Sequence, residues 1–380
     1  MVRRSYWIHK IEDEWRRRSI IWLSGVRRVG KTFLSRSFEQ IEYFDCELPR
    51  VRRQMENPES FLKALRGKRV VLDEIHRLSN PSELLKIAAD HFPETRLLAT
   101  GSSALQVSDK FQDTLTGRKT EVWLTPMIST DLEDFDKTDI SHRLLHGGLP
   151  PFFLSRELPE QDFQEWMDSF WAKDIQELFR VDKRASFQRF LELLFINSGG
   201  IFEATRYAGP CEISRPTVSS YLKVLEATWV VQVVKPFSRR RQTEIISAPK
   251  VYAFDTAFVC YYRGWHELRP DDMGYLWEHF VLNEIQGRGQ ARNIRYWRDK
   301  RGHEVDFILF RPGQKPIAIE CKWSADAVEI KNLKAFRRNY PGGENWIVAH
   351  DVDRSFRREI GDLSLEFLGL KDFVNRLKQA

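Results

Sequence analysis

The 380-residue chain is 42% hydrophobic and 30% charged, with 26 Phe, 12 Trp and 10 Tyr. That length predicts two or three domains with real hydrophobic cores, and the aromatic content excludes a disordered chain. The formal net charge of +6 leans towards a polyanionic partner, so the placement of the arginine clusters must decide what it means.

The opening stretch MVRRSYWIHKIEDEW has charges but no apolar core of a signal peptide, and no later run approaches a membrane span. Cys46, Cys211, Cys260 and Cys321 are scattered without C-x-x-C spacing, which suggests neither a zinc site nor a disulfide framework. A soluble, cytoplasmic protein with no membrane partner is expected.

SIIWLSGVRRVGKTFLSRSF runs from an apolar strand through Gly25, Val26, Arg27, Arg28, Val29, Gly30, Lys31 and Thr32 into a helical pattern. This is G-x-x-x-x-G-K-T in the strand, loop and helix context of a P-loop. The glycines let backbone N–H groups converge on phosphate oxygens at a helix N-terminus. Lys31 is expected on the β- and γ-phosphates and the Thr32 hydroxyl on Mg²⁺, which makes ATP and Mg²⁺ the implied cofactors. RVVLDEIHRL then ends a strand in Asp73 and Glu74, the acidic pair of a Walker B motif, with Asp73 in the magnesium shell and Glu74 orienting the attacking water. TRLLATGSSALQ presents Thr100, Ser102 and Ser103 at a third strand end, either as γ-phosphate sensors or as ordinary helix caps.

These motifs resemble the AAA+ ATPases, in particular a prokaryotic group with a G-x-R-x-V-G-K-T loop, an L-D-E-I Walker B and a T-G-S-S strand end. The resemblance extends to DTLTGRKTEVWLTPMI and implies that Arg118 is an arginine finger supplied to a neighbouring subunit. A homo-oligomer, such as a hexameric ring, is expected from that role. The competing reading of Arg118 is a surface arginine after a turn glycine.

Residues 1–126 are thus expected to form the ATPase core. From 127 to 185 a helical lid is expected, because Phe163, Trp166, Met167, Phe170, Trp171, Ile175, Leu178 and Phe179 recur at helical spacing; the Gly147 to Pro150 run also matches the family resemblance. Residues 186–262 read as a winged helix-turn-helix. Ser214 caps a helix with Pro216 in its first turn, an alternating strand follows, and Arg239, Arg240 and Arg241 sit on the returning wing. Arg215, Thr217, Ser219, Ser220 and Lys223 form the polar face open to DNA, with the wing arginines on phosphates. Winged helices also dock proteins, and that alternative stays open.

Residues 263–380 present a helix with Glu278 on an apolar face, then two strands separated by a turn at Gly302 and carrying Glu304 and Asp306, then PIAIECKWS with Glu320 and Lys322. Period two puts Glu320 and Lys322 on one sheet face. If the strands are neighbours, Asp306 and Glu320 converge on one Mg²⁺ or Mn²⁺, Lys322 orients water or stabilises developing charge, and Glu278 completes the site or holds Lys322. The constellation resembles the PD-(D/E)xK nuclease fold, to which Arg298 also belongs as a contact to phosphate or to an acidic partner. The whole chain then reads as an α/β protein with a P-loop AAA+ parallel sheet, a helical lid, a winged helix-turn-helix and a restriction-endonuclease-like domain. Two functions follow: an ATP-driven enzyme that cleaves structured or branched DNA, or an ATP-switched DNA-binding or signalling protein whose nuclease-like domain only binds.

Overall fold

In the computed structural model, which describes residues 2–101, 114–176, 183–238, 248–290, 294–311 and 313–378, the apolar runs bounded by turn residues become strands. β1 (Ile20–Ser24), β2 (Ile41–Asp45), β3 (Arg69–Asp73), β4 (Arg96–Thr100) and β5 (Lys119–Trp123) lie in the order β2-β3-β4-β1-β5. Every pairing among them is parallel. A parallel sheet is covered on both faces, which is why β1 is buried at all its positions and β3 and β4 are apolar runs without alternation. Trp22, Val70, Leu72 and Leu97 pack with Leu84, Leu85 and Ala88 of the helix Pro81–His91. Because the strands run the same way, Ser24, Asp73 and Thr100 all emerge at one edge, where open α/β sheets bind ligands.

The helix Ser5–Arg17 buries Trp7, Ile8, Ile11 and Trp15. Just before it, Arg4 is buried against Asp131 at 2.6 Å and donates to the Val29 carbonyl at 2.9 Å, so the N-terminal segment braces the P-loop. In the expected lid, Phe163, Trp166, Met167, Phe170, Trp171 and Ile175 are all core; Leu178 and Phe179 lie outside the described residues. Here the helix Glu160–Phe170 continues into a π-helical turn, Trp171–Gln176.

The chain divides into two compact units: residues 1–138 with 149–182 and 223–230, and residues 139–148 with 183–222 and 231–380. In the second, β6 (Gly200–Ile201), β7 (Val231–Pro236), β8 (Lys250–Ala253), β9 (Arg295–Arg298), β10 (Glu304–Leu309), β11 (Ile317–Lys322), β12 (Asn345–Ala349), β13 (Phe356–Ile360) and β14 (Leu363–Leu368) form one mixed sheet ordered β13-β14-β12-β11-β10-β9-β7-β8-β6. β7 and β8 are the antiparallel arms of the expected wing, and β7 also pairs in parallel with β9. Strands assigned from sequence to separate winged and nuclease-like domains therefore share one sheet. Val305, Ile308, Ala318, Ile347, Phe336 and Phe367 centre its core, and Trp277 of the helix Pro270–Gly289 donates to the Val348 carbonyl at 2.9 Å.

Candidate functional site

The P-loop leaves β1 at Gly25, where φ is +143° and a Cβ would stand 2.4 Å from the Leu124 carbonyl oxygen, so only glycine fits. Gly30, at φ +101°, then turns the chain into the helix Lys31–Arg36. Val26 and Val29 are buried and hold the loop to the core. The Lys31 ammonium donates to its own loop, to Gly25 O at 2.8 Å and Val26 O at 3.1 Å. Burial pulls its pKa below the ordinary lysine value, against the opposing pull of Glu74 and Asp174.

Asp73, at the end of β3, is 4% exposed. Its Oδ2 accepts from the Thr32 hydroxyl at 3.0 Å and from the Tyr43 hydroxyl, and its Oδ1 accepts from the Thr100 hydroxyl. Three neutral donors satisfy this carboxylate without discharging it, and among the described residues no cation forms an ion pair with it. Thr100 also accepts from the Glu74 backbone N–H at 3.0 Å, which ties the two acids together. Glu74 adopts a left-handed backbone, φ +55°, which turns it out of the strand direction. Burial pushes its carboxyl up, but the hydrogen bond from His76 and the Lys31 ammonium more than offset this and leave it below the usual glutamate range.

A cavity of about 580 Å³ opens here, lined by Gly25, Gly30, Lys31, Thr32 and Glu74 and rimmed by Phe33 and Leu154. Buried hydroxyls, an ammonium and an ionised carboxylate around one space fit a magnesium–triphosphate: Thr32 and Asp73 would hold the ion and Lys31 the phosphates.

Arg27 and Arg28 face the lid segment. Arg27 pairs with Asp174 at 2.9 Å, its carbonyl accepts from the Trp166 indole at 3.2 Å, and Arg28 lies 3.7 Å from Glu165. On an unbroken α-helix positions 166 and 174 would point about 80° apart, and the wider π turn between them narrows that angle so both reach Arg27. Arg118 is engaged by Asp90 in a two-pronged contact, at 2.7 Å and 3.1 Å. Ser102 and Ser103 lie outside the described residues.

In the second unit the register Phe307↔Ile319, continued by one step, sets Asp306 opposite Glu320. Lys322 pairs with Glu320 at 2.9 Å, and Asp306 accepts from the Cys321 backbone N–H at 2.7 Å. Glu278 is taken by the Tyr252 hydroxyl at 2.5 Å and by Lys250 at 3.3 Å, and Lys250 also meets Glu304 at 2.5 Å. Among the described residues no group of three or more His, Cys, Asp or Glu side chains is arranged to hold a metal ion, so Glu278, Asp306 and Glu320 do not assemble as a three-carboxylate set. Two buried or half-buried ammonium groups take part of this set: Lys250, 4% exposed, holds Glu278, and Lys322 holds Glu320. Burial works against the Lys250 charge, yet Glu278, Asp306 and Glu304 hold its pKa above the ordinary value. Burial, then repulsion from Glu278, pushes Asp306 up, and burial, then repulsion from Asp306, pushes Glu320 up to about 8. Glu320 Oε1 is buried with no hydrogen-bond partner.

Of the residues expected at DNA, Ser214 does cap the helix Arg215–Ala227, donating or accepting at the Thr217 hydroxyl (2.8 Å) and accepting from its N–H (3.3 Å). Arg215, Ser219, Ser220 and Lys223 are exposed along that helix and Thr217 is half-buried. Arg298 is about half exposed, 3.5 Å from Glu304. Arg239, Arg240 and Arg241 lie outside the described residues. The sequence did not single out Tyr43, Asp174 or Lys250, and it placed Trp166 in the lid core without its contact to the P-loop. Only Lys250 left a trace, as a charge inside an otherwise apolar returning strand.

Residues 17–132 match a family profile described as an AAA domain. Residues 137–269 and 273–367 match two domains of unknown function, DUF8612 and DUF4143. Uncharacterized proteins of Mycobacterium tuberculosis and Mycobacterium bovis are each 26% identical over 318 residues, covering 80% of this chain and 70% of theirs. Among solved structures, a Walker-type ATPase of Pyrococcus abyssi aligns with 69% of this chain and 96% of its own at 16% identity and a TM-score of 0.45. The Bacillus subtilis DNA clamp loader delta protein aligns with 72% of this chain and 98% of its own at 11% identity and a TM-score of 0.26. The AAA profile and the Walker geometry together make the first unit's sheet that of a P-loop AAA-type ATPase. No helix among the described residues is long and apolar enough to cross a membrane.

Proposed function

We propose that the first unit binds Mg²⁺ and ATP and hydrolyses the nucleotide. The observation that carries this reading is Asp73, a buried acid held by three hydroxyls, in one site with Lys31, Thr32 and Glu74. Lys31 exchanges the carbonyls of Gly25 and Val26 for phosphate oxygens, while the loop N–H groups take the rest of the phosphate charge. The metal, when bound, neutralises charge on the transferring phosphoryl group. Glu74, kept ionised, orients the attacking water, and Thr100 fixes its backbone relative to Asp73. Of seven large hydrophobic side chains exposed among the described residues, Val2, Phe33 and Leu154 line this one cavity, which supports an apolar seat for a purine. For Arg118 to serve a neighbouring subunit it must leave Asp90, which predicts specific activity that rises with protein concentration. Binding of a fluorescent ATP analogue should weaken at least tenfold in Lys31→Ala; unchanged binding would sink the reading.

Hydrolysis drives action on DNA in this proposal, supported by the exposed Arg215 and Ser219 on a capped helix that precedes a two-stranded wing in the chain. Binding should weaken linearly on a log–log plot against salt, and binding indifferent to salt would remove DNA as the partner. For the acidic cluster, the contact of Lys250 with Glu278 and Glu304 favours a binding module over a nuclease. Labelled linear, forked and four-way DNA should stay intact in Mg²⁺ or Mn²⁺. Cleavage by the natural protein that is lost in Asp306→Ala would restore the nuclease reading.

A further inference from the structure

Tyr43 has no role in the nucleotide chemistry described so far. It lies on β2, paired in register with Val71, while Asp45 on the same strand pairs with Asp73. Successive strand residues point to opposite faces. Phe44 enters the core beneath the sheet, and Tyr43 therefore projects to the face that carries the helix Lys31–Arg36. Its hydroxyl donates to Asp73 Oδ2, the same oxygen that accepts from Thr32. Above the ring, at 4.5 Å from its centre, stands the Arg36 guanidinium.

The sharing of Oδ2 decides what Tyr43 does. Thr32 has one hydroxyl proton and two lone pairs, so it can donate to Oδ2 and still offer a lone pair to a cation, but its position is then set by that cation. Thr100 keeps Oδ1, and Tyr43 holds Oδ2 from a strand that does not itself touch the ion. A carboxylate anchored at both oxygens cannot swing about its terminal torsion, which is otherwise broad and soft. Groups that fix a metal-holding carboxylate in this way typically contribute about 10- to 100-fold in metal affinity.

We infer that Tyr43 is a positioning residue for the metal: it holds Asp73 in the orientation that receives Mg²⁺, and Arg36 steadies its ring. The inference rests on the nucleotide reading above and adds a residue from a strand outside both Walker motifs. The test is binding of a fluorescent ADP analogue titrated with Mg²⁺, and separately in EDTA, for the natural protein and Tyr43→Phe, with a thermal melt of each. The Mg²⁺ concentration for half-maximal binding should rise about 10-fold in Tyr43→Phe, while binding in EDTA stays within about twofold and the fold is kept. An unchanged Mg²⁺ requirement in folded Tyr43→Phe, or equal weakening with and without Mg²⁺, would overturn it. Should Tyr43→Phe fail to fold, Arg36→Met applies the same test from outside the ring: a shift in the same direction of about two- to threefold supports the inference, and no shift overturns it. A natural protein that ignores the nucleotide under both conditions would overturn the nucleotide reading, and this inference with it.

Discussion

Asp73 in the first unit and Glu278 in the second are both carboxylates largely withdrawn from water, yet their neighbours answer them differently. Asp73 receives hydroxyls from Thr32, Tyr43 and Thr100. Glu278 receives one hydroxyl, from Tyr252, and the Lys250 ammonium, which it shares with Glu304. Neutral donors lower the cost of burying the acid but leave its charge in place, ready for a cation that arrives from solution. An ammonium built into the fold cancels that charge permanently. The first arrangement is chemically poised, and the second is structurally closed.

The difference can be broken by removing the built-in cation. Lys250→Met leaves Glu278 and Glu304 facing each other, and the second unit should lose about 3–5 kcal/mol in a urea titration, with nucleotide binding unaffected. A loss below about 1 kcal/mol would mean that the ammonium is not what satisfies these acids. Asp73→Asn should behave in the opposite way, cutting turnover by about 100-fold while shifting the urea midpoint little, because its donors are neutral: the amide oxygen still accepts on one side, and a hydroxyl on the other can turn to accept from the amide NH2. A large loss of stability there would make the two sites alike.

Smaller changes sharpen the picture of the first unit. Asp174 places a negative charge next to Lys31 and occupies Arg27. Asp174→Asn should tighten nucleotide binding by about 3- to 10-fold, through the lost repulsion of the phosphates. Weaker binding would show instead that the lid contact shapes the loop. The mildest effect concerns pH. Glu74 sits below its ordinary 4.5, so its service as water-orienting base is complete above that range and is lost only as pH falls through the lowered value. Turnover should be level on the acid side down to the ordinary carboxylate range, and His76→Ala, which removes a hydrogen bond to the carboxylate, should move the acid limb to higher pH. An acid limb that stays put would remove His76 from the account.

The site residues legible in the sequence are those in which chemistry is contiguous. Gly25 to Thr32 announce a phosphate loop because backbone geometry requires glycines at fixed spacing, and Asp73 and Glu74 announce themselves at the end of an apolar strand. The parallel sheet, the turn at Gly302 and the neighbouring strands of Asp306 and Glu320 were also readable from period and punctuation. Tyr43 was not, and of Trp166 only its burial was, because an aromatic on a strand or helix face gives the same pattern whether its polar atom meets water, a catalytic carboxylate or a loop carbonyl. Asp174 reaches Arg27 only through a π turn, which no hydrophobic period encodes. Lys250 is the most instructive case. The acids at Glu278, Asp306 and Glu320 read as a metal centre so long as the cation on β8 is counted with the wing, and the parallel pairing of β7 with β9 that joins the wing to this sheet leaves no local signature.

The most direct measurement is ATP turnover and nucleotide affinity, in Mg²⁺, for the natural protein and Glu74→Ala. The account predicts that the natural protein hydrolyses ATP and that the variant loses at least about 100-fold of that rate while binding the nucleotide within about threefold. Turnover that survives in Glu74→Ala would contradict it.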